Sequence, residues 1–432
     1  MEYAKVLIVC GEPFNASSAT GITLSNLFRD WPKDRIAQIY TADMMPDPEI
    51  CSINWRVSNK DLIFVKQLRQ LMRRDSQNVA QTEAPASTSS IQNIHNAKLS
   101  IIRKILVPFI DLLPYQLSED MLGEITAFRP DVIYSILGGV RIIRLVNNLS
   151  ERYSIPVVAH FMDDWLSTYS ASGRSVATTL QRLMANQLTQ QTLKKSSIGL
   201  SIGDVMADEY AERFRIPFTA FMNPVALPDV DLSSRLLAKD EITLIYVGGL
   251  HLGRQENLID LGQAIANVRK QGVRARLAVY APQADIEQYG PVLRNDGVEL
   301  RGTIAPHEVQ GVLAQADVAV HVESFLEKFA CYTRLSVSTK LPQYCAAGLP
   351  ILAYCPSQVA SGRYVQDHQC GVAVGTQDLA ALEAAIRRFA LEPALRLQFA
   401  KNALTVAHER HDALKERQRF RAVLAQAAVQ TA

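Results

Sequence analysis

Short apolar runs rich in β-branched residues recur along this chain, each followed by a longer stretch whose apolar positions keep helical spacing. No other feature restricts the fold as much. The runs are "KVLIVC", "IAQIY", "DVIYSI", "IPVVAHF" and "SIGLSIG" in the first half, then "ITLIYVG", "ARLAVYA", "GVELRG", "ADVAVHV", "LPILAY" and "CGVAVG" in the second. Strands that are apolar almost throughout belong in sheets covered on both faces, and strand–helix repetition makes those sheets parallel. The predicted class is α/β, in two series. Between them, residues 216–241 hold three prolines and no long apolar period, as a connection between domains does. The boundary is placed near Asn223. The expected units are residues 1–222, residues 223–412, and a C-terminal helix over 413–432 that packs back on the first domain.

At 432 residues the chain is long enough for two domains, and its 45 Lys+Arg against 43 Asp+Glu leave a formal charge of +2. That balance argues against nucleic acid as a partner. Cys10, Cys51, Cys331, Cys345, Cys355 and Cys370 have no paired metal-ligand spacing and sit mostly in apolar runs, as reduced core cysteines do. The first strand starts at once, without the pattern of a signal peptide, and no apolar run reaches the roughly 18 residues of a spanning helix. The expected location is the cytoplasm, with any membrane met at its surface. Residues 75–96 are rich in Ser, Thr, Gln and Asn and predict a mobile loop. "FVKQLRQLMRR" and "AKLSIIRKILVPFIDLL" flank it and mix basic with large apolar residues at helical spacing. Two readings stand: ordinary domain helices, or a cationic amphipathic surface beside anionic lipid, with peripheral membrane contact.

Four stretches could carry chemistry. After Cys10, "GEPFNASSATGITLSNLF" is a long loop with Gly21, at the strand end where open α/β sheets bind ligands. It has neither a dinucleotide glycine fingerprint nor a Walker lysine. "IPVVAHFMDDW" brings His160 to a strand end ahead of Asp163, Asp164 and Trp165; a buried structural histidine and one tuned for proton transfer or sugar binding both fit. "LIYVGGLHLGRQENL" joins Gly248 and Gly249 to Arg254, a residue suited to a forked grip on phosphate. "STKLPQYCAAGLPILAY" puts Ser338, Thr339 and Lys340 at a helix start, where hydroxyls, a lysine and free amides make either a plain capped helix or an anion site. No stretch supplies a ligand set for a metal.

Taken in order, the glycine loop with Arg254, the "RG" at 301–302, "ADVAVHVES" and "STKLPQYCAAGLPI" resemble the retaining, nucleotide-sugar-dependent glycosyltransferases with two Rossmann-like domains facing across a cleft, the GT-B fold, and in particular glycosyltransferase family 4. The resemblance implies a donor diphosphate held by Gly248, Gly249 and Arg254, phosphate contacts from Ser338, Thr339 and Lys340, and a ribose contact from Gln343. It also implies that His160 faces the transferred sugar and that Gly21 lies beside the diphosphate. The expected catalytic set is His160, Arg254 and Lys340, with no metal and no cofactor beyond the nucleotide sugar as substrate. The chain departs from the family at two positions: Gln343 replaces a glutamate, and Leu335 stands where another would be. The expected activity is transfer of a sugar to a glycan or lipid-linked acceptor in surface polysaccharide or glycoconjugate assembly. A nucleotide-sugar epimerase of the same fold and a noncatalytic subunit are the alternatives.

Overall fold

The computed structural model describes residues 3–63, 112–168, 176–233 and 240–429. The polar loop predicted at 75–96 and nearly all of its two basic flanks lie outside the described residues, and so does the membrane surface expected of them.

Each series of apolar runs forms one parallel sheet. The first contains β1 (Val6–Cys10), β2 (Ile36–Tyr40), β3 (Ile53–Arg56), β4 (Val132–Ile136), β5 (Val157–Phe161), β6 (Gly199–Ser201) and β7 (Phe218–Ala220), in the order β3-β2-β1-β4-β5-β6-β7. The second contains β8 (Ile242–Val247), β9 (Ala275–Tyr280), β10 (Val298–Gly302), β11 (Val318–Val322), β12 (Ile351–Tyr354) and β13 (Gly371–Val374), in the order β10-β9-β8-β11-β12-β13. Every residue of β1, β2, β5, β11 and β12 is buried, as their largely apolar runs require, including the polar Gln38, His160 and His321. Two strands escape the sequence reading. β3 and β7 are edge strands of four and three residues, mostly half-buried, too short to show a period. β7 also falls inside the segment read as a connection, so the crossing begins only after Ala220.

Strand order reverses between β1 and β4 and again between β8 and β11, which opens a crevice at the carboxyl end of each sheet. The two crevices face each other, and residues of both domains line one cleft of about 730 Å³.

The domains are tied together at two further places. After the crossing, the Val225 amide donates to the His411 carbonyl at 2.8 Å and the Ala413 amide to the Val225 carbonyl at 3.0 Å. The helix Ala413–Val429 then returns to the first sheet. There Phe420 packs edge-on against Phe28, Trp31, Tyr134 and Phe221, with ring centroids 5.0–6.2 Å away. The second tie runs the other way. Past the helix Glu327–Thr333 of the second domain, Leu335 is 1% exposed and belongs to the same buried cluster as Leu166, Ile202, Met206 and Tyr210 of the first. Beside it, Arg334 donates to both Glu209 oxygens at 2.8 and 2.7 Å and to Asp164 Oδ2 at 3.3 Å. Ser336 donates to Asp163 Oδ1 at 3.0 Å.

Candidate active site

The donor-side wall starts where β8 ends. The turn after Gly248 and Gly249 passes through Leu252 and Gly253, both at positive φ (60° and 76°), into the helix Arg254–Lys270. A Cβ on Gly253 would stand 2.5 Å from the Ser324 hydroxyl, so both the turn and the close approach require glycine there. The turn places Arg254 at the first helical position. Its Nε and Nη2 donate to Oε2 and Oε1 of Glu323, each at 3.1 Å, and the two side chains are only 15% and 6% exposed. Glu323 follows β11 and grips one edge of the guanidinium; among the described residues no acceptor takes Nη1. Beneath the pair, burial and the charges of Lys340 and Arg254 push His321 down to about 3, so it is neutral at physiological pH.

Lys340 lies on the same wall, its Nζ 6.0 Å from the centre of the Tyr246 ring. A Cβ on Gly248 would fall 2.5 Å from Nζ, so this glycine makes room for the lysine. Burial, then the neighbouring Arg254, lowers Lys340 to about 8, with Glu323 opposing. A diphosphate arriving here favours the protonated amine. Nucleotide affinity should therefore hold at lower pH and decline as pH rises through about 8, up to tenfold for each further unit, since binding must then take up a proton. Calorimetry across that range checks this; an affinity flat to pH 9.5 would detach Lys340 from the ligand.

Ser338 and Thr339 line the cleft. Their capping role differs from expectation. The helix spans only Leu341–Ala346, Lys340 occupies its cap position, and Ser338 Oγ accepts from the Lys340 amide at 3.4 Å. Of the helix-start amides, those of Arg254, Gln255, Glu256 and Leu341 already donate to nearby carbonyls. The charged grip rests on side chains.

Three residues expected at the donor do not line this cleft. Gly21 does not line the cleft; its neighbours Ala19 and Thr20 do. Its own requirement is internal, because a Cβ there would run into the Asn15 side chain. Gln343 is half-buried in its helix and is also not among the cleft-lining residues. His160 is fully buried. Its Nδ1 is hydrogen-bonded to the Tyr134 hydroxyl at 2.6 Å, and the rings meet edge to face under the returning helix. Burial lowers it from 6.5 to about 4. Because the folded protein keeps this histidine neutral, its own contribution makes stability fall as pH drops below about 6.5 and level off under about 4. His160→Phe should lessen the slope between about pH 4 and 6.5, where buried His321 and His411 still contribute, without touching nucleotide affinity; a changed affinity would return His160 to the site.

The residues that reach the cleft from β5 are Met162, Asp163 and Trp165. The neighbouring acids divide the work. Asp164 is buried, accepting from the Tyr210 hydroxyl at 2.8 Å and from Arg334, whereas Asp163 opens into the cleft. Among the described residues, no group of three or more His, Cys, Asp or Glu is placed to hold a metal ion.

Residues 241–391 match the family model described as glycosyl transferases group 1. The likeness to glycosyl transferases group 1 therefore falls on the second domain. That domain contains the Gly248–Arg254 turn, Glu323 and Lys340, and the match does not single out glycosyltransferase family 4. No curated protein sequence matches the chain. Among solved structures, Anabaena HepE in complex with UDP is similar at 13% identity, with 98% of this chain and 100% of that one covered and a TM-score of 0.63. WaaG, a glycosyltransferase involved in lipopolysaccharide biosynthesis, is similar at 11% identity over 97% and 99% of the chains, TM-score 0.55. An α,α-trehalose 6-phosphate synthase from Burkholderia multivorans is similar at 11% identity over 99% and 100%, TM-score 0.60. These likenesses extend the GT-B fold over both domains, with the segment that matches the family model forming the Arg254 side of the cleft.

Proposed function

We propose that the protein transfers a sugar from a nucleoside-diphosphate donor to a glycan or lipid-linked acceptor. The observation that carries this reading is the convergence of Arg254 and Lys340 on one wall of the 730 Å³ cleft within the segment that matches the family model. HepE complexes with UDP and with UDP-glucose support a nucleotide sugar as the donor. Departure of a nucleoside diphosphate builds negative charge on phosphate oxygens. A forked guanidinium already oriented by Glu323, with an ammonium beside it, stabilises that charge without reorganising. We therefore take the reaction to be independent of a divalent metal and of any cofactor, so turnover should survive chelation. Retention of anomeric configuration and a role at the cytoplasmic face of a membrane, in polysaccharide or glycoconjugate assembly, complete the proposal. Among the described residues no helix is long and apolar enough to cross a membrane, and WaaG supports the glycoconjugate setting.

Thermal-shift screening against UDP-, GDP-, ADP- and dTDP-sugars is the direct test. A donor at a hundred times its Kd adds about 2.7 kcal/mol to stability. At least one donor should raise the Tm of the wild type and leave that of an Arg254→Gln/Glu323→Gln variant unmoved. A panel without any shift overturns the proposal.

A further inference from the structure

Next to the donor cavity lies a second cavity of about 270 Å³. Glu12 and Leu137 line its far side, and Thr20, Met162, Asp163 and Trp165 line both cavities. Asp163 is thus the one ionisable side chain among the described residues that stands where the two meet. The second domain fixes its orientation through Ser336, whose hydroxyl occupies Oδ1, while Oδ2 has no hydrogen-bond partner among the described residues. Although the side chain is exposed to the cleft, the surrounding protein raises its carboxyl above the ordinary range, against the opposing effects of the Ser336 hydroxyl and the Arg254 charge. The charge pattern is one-sided: among the described residues lining the smaller cavity the charged groups are Glu12 and Asp163, both acids, with no cation. Glu12 is itself held by the Ser18 hydroxyl at 2.5 Å.

Resting on the donor reading above, we infer that the smaller cavity takes an uncharged sugar ring of the acceptor. Asp163 accepts a hydrogen bond from the hydroxyl to be glycosylated and positions it, and no bond is made or broken by Asp163 in this contact. Trp165 supplies the apolar surface that sugar rings pack on, and the two acids disfavour phosphorylated or carboxylated rings by like-charge repulsion.

Ligand-observed NMR on the full chain tests this with methyl gluco-, galacto-, manno- and N-acetylglucosaminides, and the 6-phosphates of the same sugars, each with and without UDP, GDP or ADP. At least one neutral glycoside should bind without being displaced by the nucleotide. Its affinity, measured without nucleotide, should fall about tenfold in Asp163→Asn, the loss of one charge-assisted hydrogen bond. The 6-phosphates should not bind. The inference is overturned if nucleotide binds while no neutral glycoside does, if a 6-phosphate binds more tightly than its parent, or if Asp163→Asn leaves glycoside affinity intact. Glycoside binding with no nucleotide binding would instead overturn the donor reading and leave the cavity assignment standing.

Discussion

Arg254→Ala should lower nucleotide affinity roughly 10- to 150-fold, the equivalent of one charge-assisted contact worth about 1.5–3 kcal/mol. The same change leaves Glu323 buried without its partner. Breaking one side of a buried pair costs about 3–5 kcal/mol, so Tm should fall as well. The two effects separate in Arg254→Gln/Glu323→Gln, where neither charge remains: stability should largely return, and affinity should not. Arg254→Lys should recover only part of the binding, because a point charge cannot span the two Glu323 oxygens and still face the ligand. Calorimetric titration with UDP, GDP and ADP, alongside thermal denaturation, provides both readouts. Wild-type affinity in the double variant would remove Arg254 from the donor site.

Leu335→Ala should destabilise the first domain although the residue belongs to the second. The side chain is 1% exposed within the first domain's cluster, where deletion of a leucine costs about 2–5 kcal/mol. All three tryptophans, Trp31, Trp55 and Trp165, lie in the first domain, so their fluorescence reads that domain alone. In urea, the fluorescence midpoint of Leu335→Ala should drop below that of the wild type, while circular dichroism, which reads both domains, broadens or splits. An unmoved fluorescence midpoint would mean that the segment merely rests on the first domain.

The sheets were legible because every run that forms a central strand is apolar on both faces, and burial between helices demands that pattern. The same property hid the direction of His160. In a strand buried throughout, alternation separates two faces but gives neither a polar signature, so nothing local shows that His160 turns under the returning helix and that the cleft is reached by Met162 and Asp163 beyond the strand. Arg254 and Lys340 were readable from their loops. Glu323 as the partner of Arg254 was not, since the two are 69 positions apart and meet only through the adjacency of β8 and β11. Leu335 has a physical explanation too: where the resemblance leads one to expect a glutamate, this chain sends an apolar side chain into the neighbouring domain's core.

The returning helix has a consequence for how the protein is made. Arg417 donates to the Asn26 carbonyl and pairs with Asp30, contacts that close a span of 391 positions, and Phe420 completes an aromatic cluster begun by Phe28 and Trp31. At about 5–20 residues per second, the ribosome takes some 20 seconds or more to bridge that span. For roughly the last half of that interval, after β7 ends at Ala220, the first domain carries an apolar face that only the returning helix covers among the described residues. A nascent chain arrested near residue 410 should accordingly recruit holdase chaperones and aggregate on release, whereas one extended past Ala427 should not.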